Sequence, residues 1–235
     1  MNFFTGEVFA IDKPYGMTSF GALAHVRYLL TKAVGRKVKI GHAGTLDPLA
    51  TGVLVLCTGK ATKRIEALQN HTKEYTATLQ LGATTVSYDR EHEVNATFPT
   101  AHITLEKIKQ ALARFVGDIE QVPPTFSAVK VNGDRAYALR RAGEEVVLSP
   151  KKVHIDEIAL THFDPERMQV DIRVVCGKGT YIRALARDIG RALDSGAYLT
   201  ALRRTKAGDI NVADCVDFNH FKEWIDAQEI DNNMI

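Results

Sequence analysis

The sequence contains little cysteine and no long hydrophobic run, and both absences exclude classes of protein. The three cysteines, Cys57, Cys176 and Cys215, are scattered and form no Cys-x-x-Cys pair, which argues against a disulfide framework and against a zinc site. The longest apolar run, Val53–Cys57, is far too short to span a bilayer. The first residues lack the basic stretch followed by an apolar one that marks a signal peptide. We therefore expect a cytoplasmic protein.

An excess of charge of one sign is also missing, with 30 Lys and Arg against 28 Asp and Glu and a formal net charge of +2. The charges are nevertheless unevenly distributed. Seven acidic residues and one basic residue stand in 209–235, a charge of −6, so residues 1–208 carry +8. A basic body predicts a polyanionic partner such as nucleic acid, whereas the alternative is an unevenly charged, solvated surface.

Strand and helix patterns do not alternate regularly along the chain, which favours an α+β fold with a mixed, largely antiparallel sheet over a doubly wound parallel one. Alternation or continuous apolar character predicts strands at Val8–Ile11, Val53–Cys57, Lys73–Leu81, Lys152–Leu160 and Met168–Val175. The Val53–Cys57 strand has the composition of one buried on both faces. Because Pro123 and Pro124 cannot donate ladder hydrogen bonds, 122–131 cannot be a central strand throughout.

Three segments have helical spacing of apolar residues. The first can begin at Ser19 as the cap, with Phe20, Leu23, Val26 and Leu30 as its buried stripe. The second runs from Thr104 to Gly117. The third runs from a Thr180 cap to Leu193 and carries arginines at i, i+4 and i+8 on a face away from its apolar stripe, namely Arg183, Arg187 and Arg191.

The most unusual segment is Gly41–Gly52, GHAGTLDPLATG, where three glycines and a proline restrict the backbone just before a buried strand. It carries two functional side chains, His42 and Asp47. One interpretation is a structural turn with a core histidine and an amide-capping aspartate. The other is a catalytic loop in which Asp47 is a nucleophile or base and His42 binds substrate. An ionised carboxylate favours a cationic neighbour, and Arg183 is the candidate.

This loop, as GHAGTLDPLATGVL, closely resembles the signature of the TruB family of tRNA pseudouridine synthases. Five further segments resemble motifs of that family in the same order along the chain: IDKPYGMTS (11–19), KEYTATLQLG (73–82), PPTFSAVKVNGDRAY (123–137), CGKGTYIRALARDIG (176–190) and LRRTKAG (202–208). Together the six matches extend over nearly the whole sequence.

The resemblance implies that one uridine, at position 55 in the T-loop of tRNA, is isomerised to pseudouridine without a cofactor, a metal or a redox step. It also implies the pseudouridine synthase fold, a central sheet flanked by helices with the active-site cleft across it. Asp47 resembles the catalytic aspartate and Arg183 the arginine that pairs with it. Three roles for Asp47 stay open: addition to the ribose 1′ carbon, addition to the uracil ring, or action as a base at the ribose.

The resemblance assigns substrate-binding roles to several further residues. Tyr75 resembles the aromatic residue that stacks on the flipped base, although alternation alone favours a core tyrosine. His42 resembles the histidine that helps extrude the target nucleotide. Tyr181 and Leu202 match positions that line the uracil pocket, or they simply pack. Asp89 lies in a segment that matches loosely and is assigned only a role in RNA recognition.

Phosphate contacts are expected from basic residues, which include Lys130 and Arg141. The other candidates are Lys32, Arg36, Lys37, Lys39, Arg135, Arg140, Arg203 and Arg204. Any single one of them is more often a solvated surface charge.

The chain is expected to be a single catalytic domain over residues 1–235, because the acidic segment 209–235 is too short for the C-terminal PUA domain of many relatives. Such a protein would act as a monomer on the T-arm stem-loop, with no membrane or protein partner. A secondary role as a tRNA folding chaperone is compatible with it. Three rivals remain: a non-catalytic RNA chaperone, an Asp-dependent glycosidase, which usually needs two opposed carboxylates, and a pseudouridine synthase acting on another RNA.

Overall fold

The computed structural model describes residues 1–127, 129–131, 134–136, 142 and 146–231. The chain forms two compact units. The first contains Met1–Tyr75 and Arg203–Ile235, and the second contains Thr76–Leu202.

The first unit contains strands and helices from both ends of the chain. They are β1 (Val8–Lys13), α1 (Ser19–Val34), β2 (Ile40–His42), β3 (Thr51–Thr58), a 3₁₀ helix (Gly59–Arg64), α2 (Ile65–Asn70), the start of β4 (Lys73–Leu81), the end of β12 (Ala197–Ala207), β13 (Ile210–Asn211), a second 3₁₀ helix (Val212–Asp214), β14 (Val216–Asp217) and α5 (Phe221–Asp226).

The strands of this unit form a mixed arrangement in the order β14-β1-β3-β12, with β2 on β3 and β13 on β12. β1 and β3 are antiparallel, whereas β14 joins β1 and β12 joins β3 in parallel. Alternate side chains of β3 point to opposite faces, and the strand is buried from Gly52 to Thr58. Leu54 and Leu56 pack with α1 and α5 residues, while Val53 and Val55 pack with residues such as Ile65 and Ile210. The prediction of a strand buried on both faces is confirmed.

The second unit contains the remaining elements. They are the rest of β4 and β12, β5 (Ala83–Thr85), β6 (Val94–Thr97), α3 (Leu105–Ala113), β7 (Gly117–Gln121), β8 (Lys130–Val131), β9 (Asp134–Arg135), β10 (Lys151–Asp164), β11 (Gln169–Cys176) and α4 (Ile182–Ala192).

The strands of the second unit follow the order β12-β4-β11-β10-β7, and β10 is antiparallel to both β7 and β11. Buried and less buried residues alternate along β4 and β11 as predicted. β7 ends at Gln121, just before the two prolines, which confirms that no single strand extends through the described part of 122–131. Both units combine helices with mixed or antiparallel strands, so the α+β class is confirmed.

Two predicted helix starts are each wrong by one residue, and each correction involves a hydroxyl that is used elsewhere. Thr18, not Ser19, caps α1: its hydroxyl accepts a hydrogen bond from the Gly21 amide at 2.9 Å. Tyr181 is the N-cap of α4 and makes no side-chain cap, because the Thr180 hydroxyl donates to the Gly177 carbonyl instead.

The predicted faces of these two helices also need correction. Leu23, Val26 and Leu30 are buried as expected, but Phe20 is 66% exposed. On α4, Arg183 and Arg187 are buried together with the apolar stripe, and only Arg191 of the three arginines is exposed.

The acidic C-terminal segment is part of the first unit's fold. Val216 and Asp217 pair with β1, and Phe221 of α5 stacks on Phe9 with ring centroids 5.9 Å apart. No helix within the described residues has the length and apolar character needed to cross a membrane.

Candidate active site

Asp47 lies in the loop 43–50 between β2 and β3, and the loop is fixed on both sides of it. The Ser19 hydroxyl donates to the Leu46 carbonyl and accepts from the Leu46 amide, both at 2.8 Å. On the other side, the Gly16 amide donates to the Pro48 carbonyl at 2.9 Å. The half-buried Asp47 side chain therefore extends from a backbone that the start of α1 and the turn before it hold in place.

Arg204, which is 1% exposed, supports the same loop through hydrogen bonds to backbone carbonyls. Its Nε donates to the Val53 carbonyl at 2.7 Å and its Nη2 donates to the Gly44 carbonyl at 3.1 Å. Gly52 has φ +104°, and a Cβ at this position would lie 2.1 Å from the Arg204 carbonyl oxygen. The loop can therefore enter β3 at this point only with glycine. Arg204 is a structural residue and not a phosphate contact.

Lys13 supplies a buried positive charge next to Asp47. Its Nζ donates to the carbonyls of Pro14, Met17 and Pro48 at 2.8, 2.6 and 3.2 Å. Burial lowers the pKa of Lys13 to about 8, and the charge of Asp47 opposes that shift. Sequence reasoning did not single out Lys13, although it stands in the first family motif.

His42 ends β2 beside this loop and is half-buried. Burial, followed by the charge of Arg204, lowers the pKa of His42 below its usual value. Its Nδ1 is buried and has no hydrogen-bond partner among the described residues. An unpaired buried nitrogen is costly, so His42 is poorly explained as a satisfied core histidine.

Arg183 belongs to the second unit, where it is buried and held by several oxygens. Its guanidinium donates to the carbonyls of Ser87 and Phe126 at 3.1 and 2.9 Å, and its Nε lies 3.6 Å from Asp89 Oδ2. The Ser87 hydroxyl and the Glu91 amide donate to the other Asp89 oxygen at 2.6 and 2.9 Å. Asp89 is 6% exposed, so it is a positioning residue for Arg183 and is not available on the surface for RNA recognition.

The other predicted site residues are placed as follows. Tyr75 lies on β4 and is 9% exposed. The Tyr181 amide, at the start of α4, donates to Gln121 Oε1 at 2.8 Å. Leu202 is half-buried on β12. The side chain of Lys130 and the whole of Arg141 lie outside the described residues, as do Arg140 and the side chain of Arg135.

The structure thus brings His42, Asp47 and the unpredicted Lys13 into one unit around a rigid loop, and Arg183 and Tyr181 into the other at the start of α4. The pairing of Arg183 with Asp47 stays a prediction. Within the described part of the chain, no cluster of three or more His, Cys, Asp or Glu side chains could hold a metal ion.

Comparison with solved structures identifies the class of fold. A chain of the crystal structure of a Cbf5-Nop10-Gar1 complex superimposes with a TM-score of 0.69 and is 29% identical; the match covers 94% of this chain and 56% of that one. A chain from a structure of an H/ACA RNP bound to a substrate RNA containing 2′-deoxyuridine gives a TM-score of 0.64 at 27% identity, over 92% of this chain and 52% of that one. This chain spans about half the length of those two. The predicted pseudouridine synthase fold is confirmed.

Family models and curated relatives then identify the family. Residues 31–182 match the model of the TruB family pseudouridylate synthase N-terminal domain, and residues 183–234 match that of the tRNA pseudouridylate synthase B C-terminal domain. The tRNA pseudouridine synthase B of Bacteroides thetaiotaomicron is 62% identical over 99% of this chain and 98% of its own length. That of Flavobacterium johnsoniae is 52% identical over 93% and 95%. The chain belongs to the TruB family.

Proposed function

We propose that this protein isomerises uridine 55 in the T-loop of tRNA to pseudouridine and that Asp47 is its catalytic carboxylate. The observation that carries the proposal is the loop 43–50: the family's signature motif holds a half-buried carboxylate between two backbone anchors and next to a buried cation. Rigid placement of this kind suits a group that must meet a reacting atom within a fraction of an ångström.

The reaction is an internal exchange of bonds. The bond from the ribose 1′ carbon to ring nitrogen 1 breaks, the uracil turns within the site, and ring carbon 5 bonds to the same ribose carbon. Carbon 5 loses its proton and nitrogen 1 gains one, so the atoms balance without a co-reactant. Asp47 either adds to the ribose carbon, adds to the ring, or removes a proton from the ribose.

The chemistry requires a negatively charged oxygen at Asp47, and the Lys13 ammonium, which three backbone carbonyls hold, is a cation beside it. Arg183 is the proposed second cation. Asp89, Ser87 and Phe126 fix its guanidinium, so it would not need to reorganise as charge develops on the substrate.

Access to the uridine requires that the base leave the T-loop stack. We assign the stacking surface for the flipped base to Tyr75, which returns roughly 1–3 kcal/mol of lost stacking. His42, whose buried Nδ1 has no partner among the described residues, is assigned to the gap that the base leaves, where this nitrogen would find a partner in the RNA. Tyr181 and Leu202 line the uracil pocket in this proposal.

The test is incubation of the purified protein with unmodified tRNA, followed by mapping of pseudouridine at single-nucleotide resolution. Product at position 55 alone is expected, and a tRNA with cytidine at that position should yield none. Product at other positions, or in rRNA only, would contradict the proposed substrate. We also infer that the protein is a cytoplasmic monomer that relies on the T-arm. It should then modify a T-arm stem-loop nearly as well as whole tRNA. A strong dependence on the acceptor end would contradict the reliance on the T-arm.

A further inference from the structure

Three aromatic side chains at the start of the first unit stand largely in solvent. Tyr15, Phe20 and Tyr28 are 61%, 66% and 62% exposed, although they fall within 14 residues of one another. Single exposed apolar residues are ordinary, but a group of large aromatic side chains left in water usually marks a surface that another molecule covers.

The segment of the chain that carries them is positively charged. Residues 13–46 contain six lysines and arginines and not one aspartate or glutamate. The side chains of Lys32, Lys37 and Lys39 are exposed, and Arg27 is half-buried. Surfaces that bind single-stranded nucleic acid combine aromatic side chains, on which bases stack, with basic side chains that contact phosphates.

Helical geometry places two of the aromatics on one side of α1. Phe20 and Tyr28 are eight residues apart, which is a little over two turns or about 12 Å along the helix axis. Arg27 lies nearly in line with Phe20 along the helix, because seven residues advance the helix by nearly two full turns, and Tyr28 lies about 100° around the axis from Arg27. We call Phe20, Arg27 and Tyr28 the outer face of α1.

This outer face begins at the catalytic loop. Ser19, the residue before Phe20, is the one whose hydroxyl holds the Leu46 backbone, and Gly16, the residue after Tyr15, donates to Pro48. The bonded partners Leu46 and Pro48 flank Asp47. A molecule that reaches Asp47 with one nucleotide can therefore contact α1 with those beside it.

We propose that the outer face of α1, together with Tyr15, is an RNA-binding surface that stacks unpaired nucleotides of the tRNA next to the target uridine, with phosphates held by Arg27, Lys32, Lys37 and Lys39. This inference rests on the proposed function for the identity of the RNA. A second copy of the chain fits the surface less well, because a symmetric contact would place two basic surfaces against each other.

The test compares tRNA binding by the wild type and by a variant with Phe20→Ala and Tyr28→Ala, using fluorescence anisotropy. We expect a weakening of roughly 5- to 150-fold for each base that loses its stacking partner. The pair Phe20→Tyr and Tyr28→Phe should bind like the wild type. Leu105→Ala removes another exposed apolar side chain, on α3 and 46% exposed, and should leave binding unchanged. Because all three positions are exposed, the melting temperatures should agree.

Four results would overturn the inference: unchanged affinity in the double alanine variant, an equal loss with Leu105→Ala, an equal loss on a fully paired duplex that offers no free base, or a wild-type dimer that the variant no longer forms. If the wild type binds tRNA but makes no pseudouridine, the proposed function fails, while the binding comparison still decides whether α1 contacts RNA.

Discussion

Tyr75 shows that a buried side chain can serve either chemistry or packing. Tyr75 is 9% exposed and lies on the same face of β4 as fully buried residues such as Leu79. A core role and a stacking role both require an apolar environment for the ring, so burial alone does not separate them. A substitution that removes the ring but keeps the apolar volume distinguishes the core role from the stacking role.

We expect Tyr75→Leu to lower turnover about 5- to 150-fold, because the flipped base loses its aromatic surface. The melting temperature should change little, since leucine keeps most of the buried apolar area. Leu79→Ala, in the same strand, should do the opposite: a loss of about 2–5 kcal/mol in the free energy of unfolding. Single-turnover rates and thermal denaturation measure both, and a large fall in melting temperature with Tyr75→Leu would support the core interpretation.

The buried Lys13 should make activity and stability change with pH in opposite directions. Burial lowers its pKa from 10.5 to about 8 in the folded protein. Between pH 8 and 10.5 the unfolded chain therefore binds more protons than the folded one, so the contribution of Lys13 to the free energy of unfolding rises with pH in that window. A neutral amine, however, offers only two N–H donors to the three carbonyls that it serves. We expect turnover to fall above about pH 8 without a matching fall in stability due to this group.

The control for this prediction is Lys13→Arg, which keeps its charge throughout that window. Its alkaline limb should move to higher pH, as measured by single-turnover rates across pH. A variant that folds, is active and loses activity at the same pH as the wild type would show that another group titrates there.

At the residue scale, the sequence predicts the groups that sit in a motif and misses the groups that support them. His42 and Asp47 stand in one unusual segment. The support of Arg183 comes from Ser87, which is 96 residues away in the chain, and no local pattern links the two. Lys13 was missed for the opposite reason: a lone lysine beside a proline is indistinguishable from a surface residue until its burial is known.

At the element scale, the turn into β3 depends on backbone conformation. Gly52→Ala would force a Cβ to within 2.1 Å of the Arg204 carbonyl at φ +104°. We expect a loss on the order of 2–5 kcal/mol in the free energy of unfolding, from strain and overpacking together. The matched control is Gly35→Ala at the end of α1, where φ is +72° and no atom lies within 4 Å of the added Cβ, so only about 1 kcal/mol of conformational cost applies. Equal losses in urea denaturation would contradict this account.

The elements themselves were largely predictable where the pattern was strong. β3 and β4 follow from apolar composition and strict alternation, and α3 begins after its Thr104 cap as expected. The helix starts near Ser19 and Thr180 were misplaced because several neighbouring hydroxyls can cap, and tertiary contacts decide which one does. Phe20 was placed in the core because its spacing fits the buried stripe, but the first turn of α1 leaves it in solvent.

At the scale of the whole molecule, the charge asymmetry predicts a strong dependence of tRNA affinity on salt. Each phosphate contact releases counterions, so a double variant with Lys37→Ala and Lys39→Ala should reduce the slope of log affinity against log salt by about 1–2. Lys107→Ala with Lys109→Ala removes two exposed lysines of α3 and should leave the slope unchanged. Equal slopes for the wild type and both double variants would show that Lys37 and Lys39 do not contact the RNA.

The acidic C-terminal segment shows what composition could not predict at this scale. Its net charge gives no sign of a core contribution, but Phe218, Phe221 and Ile225 are buried in the core of the first unit. A few apolar residues at helical spacing outweigh the charge around them, because the acidic side chains of α5 occupy its exposed side.

The central claim is that the carboxylate of Asp47 performs the reaction, and Asp47→Asn tests it most directly. The amide keeps the shape of the side chain and removes its charge. A single-turnover assay with saturating enzyme should show no pseudouridine for Asp47→Asn, wild-type affinity for tRNA, and wild-type turnover for Asp209→Asn, an exposed carboxylate between β12 and β13. Appreciable product from purified Asp47→Asn would contradict the account.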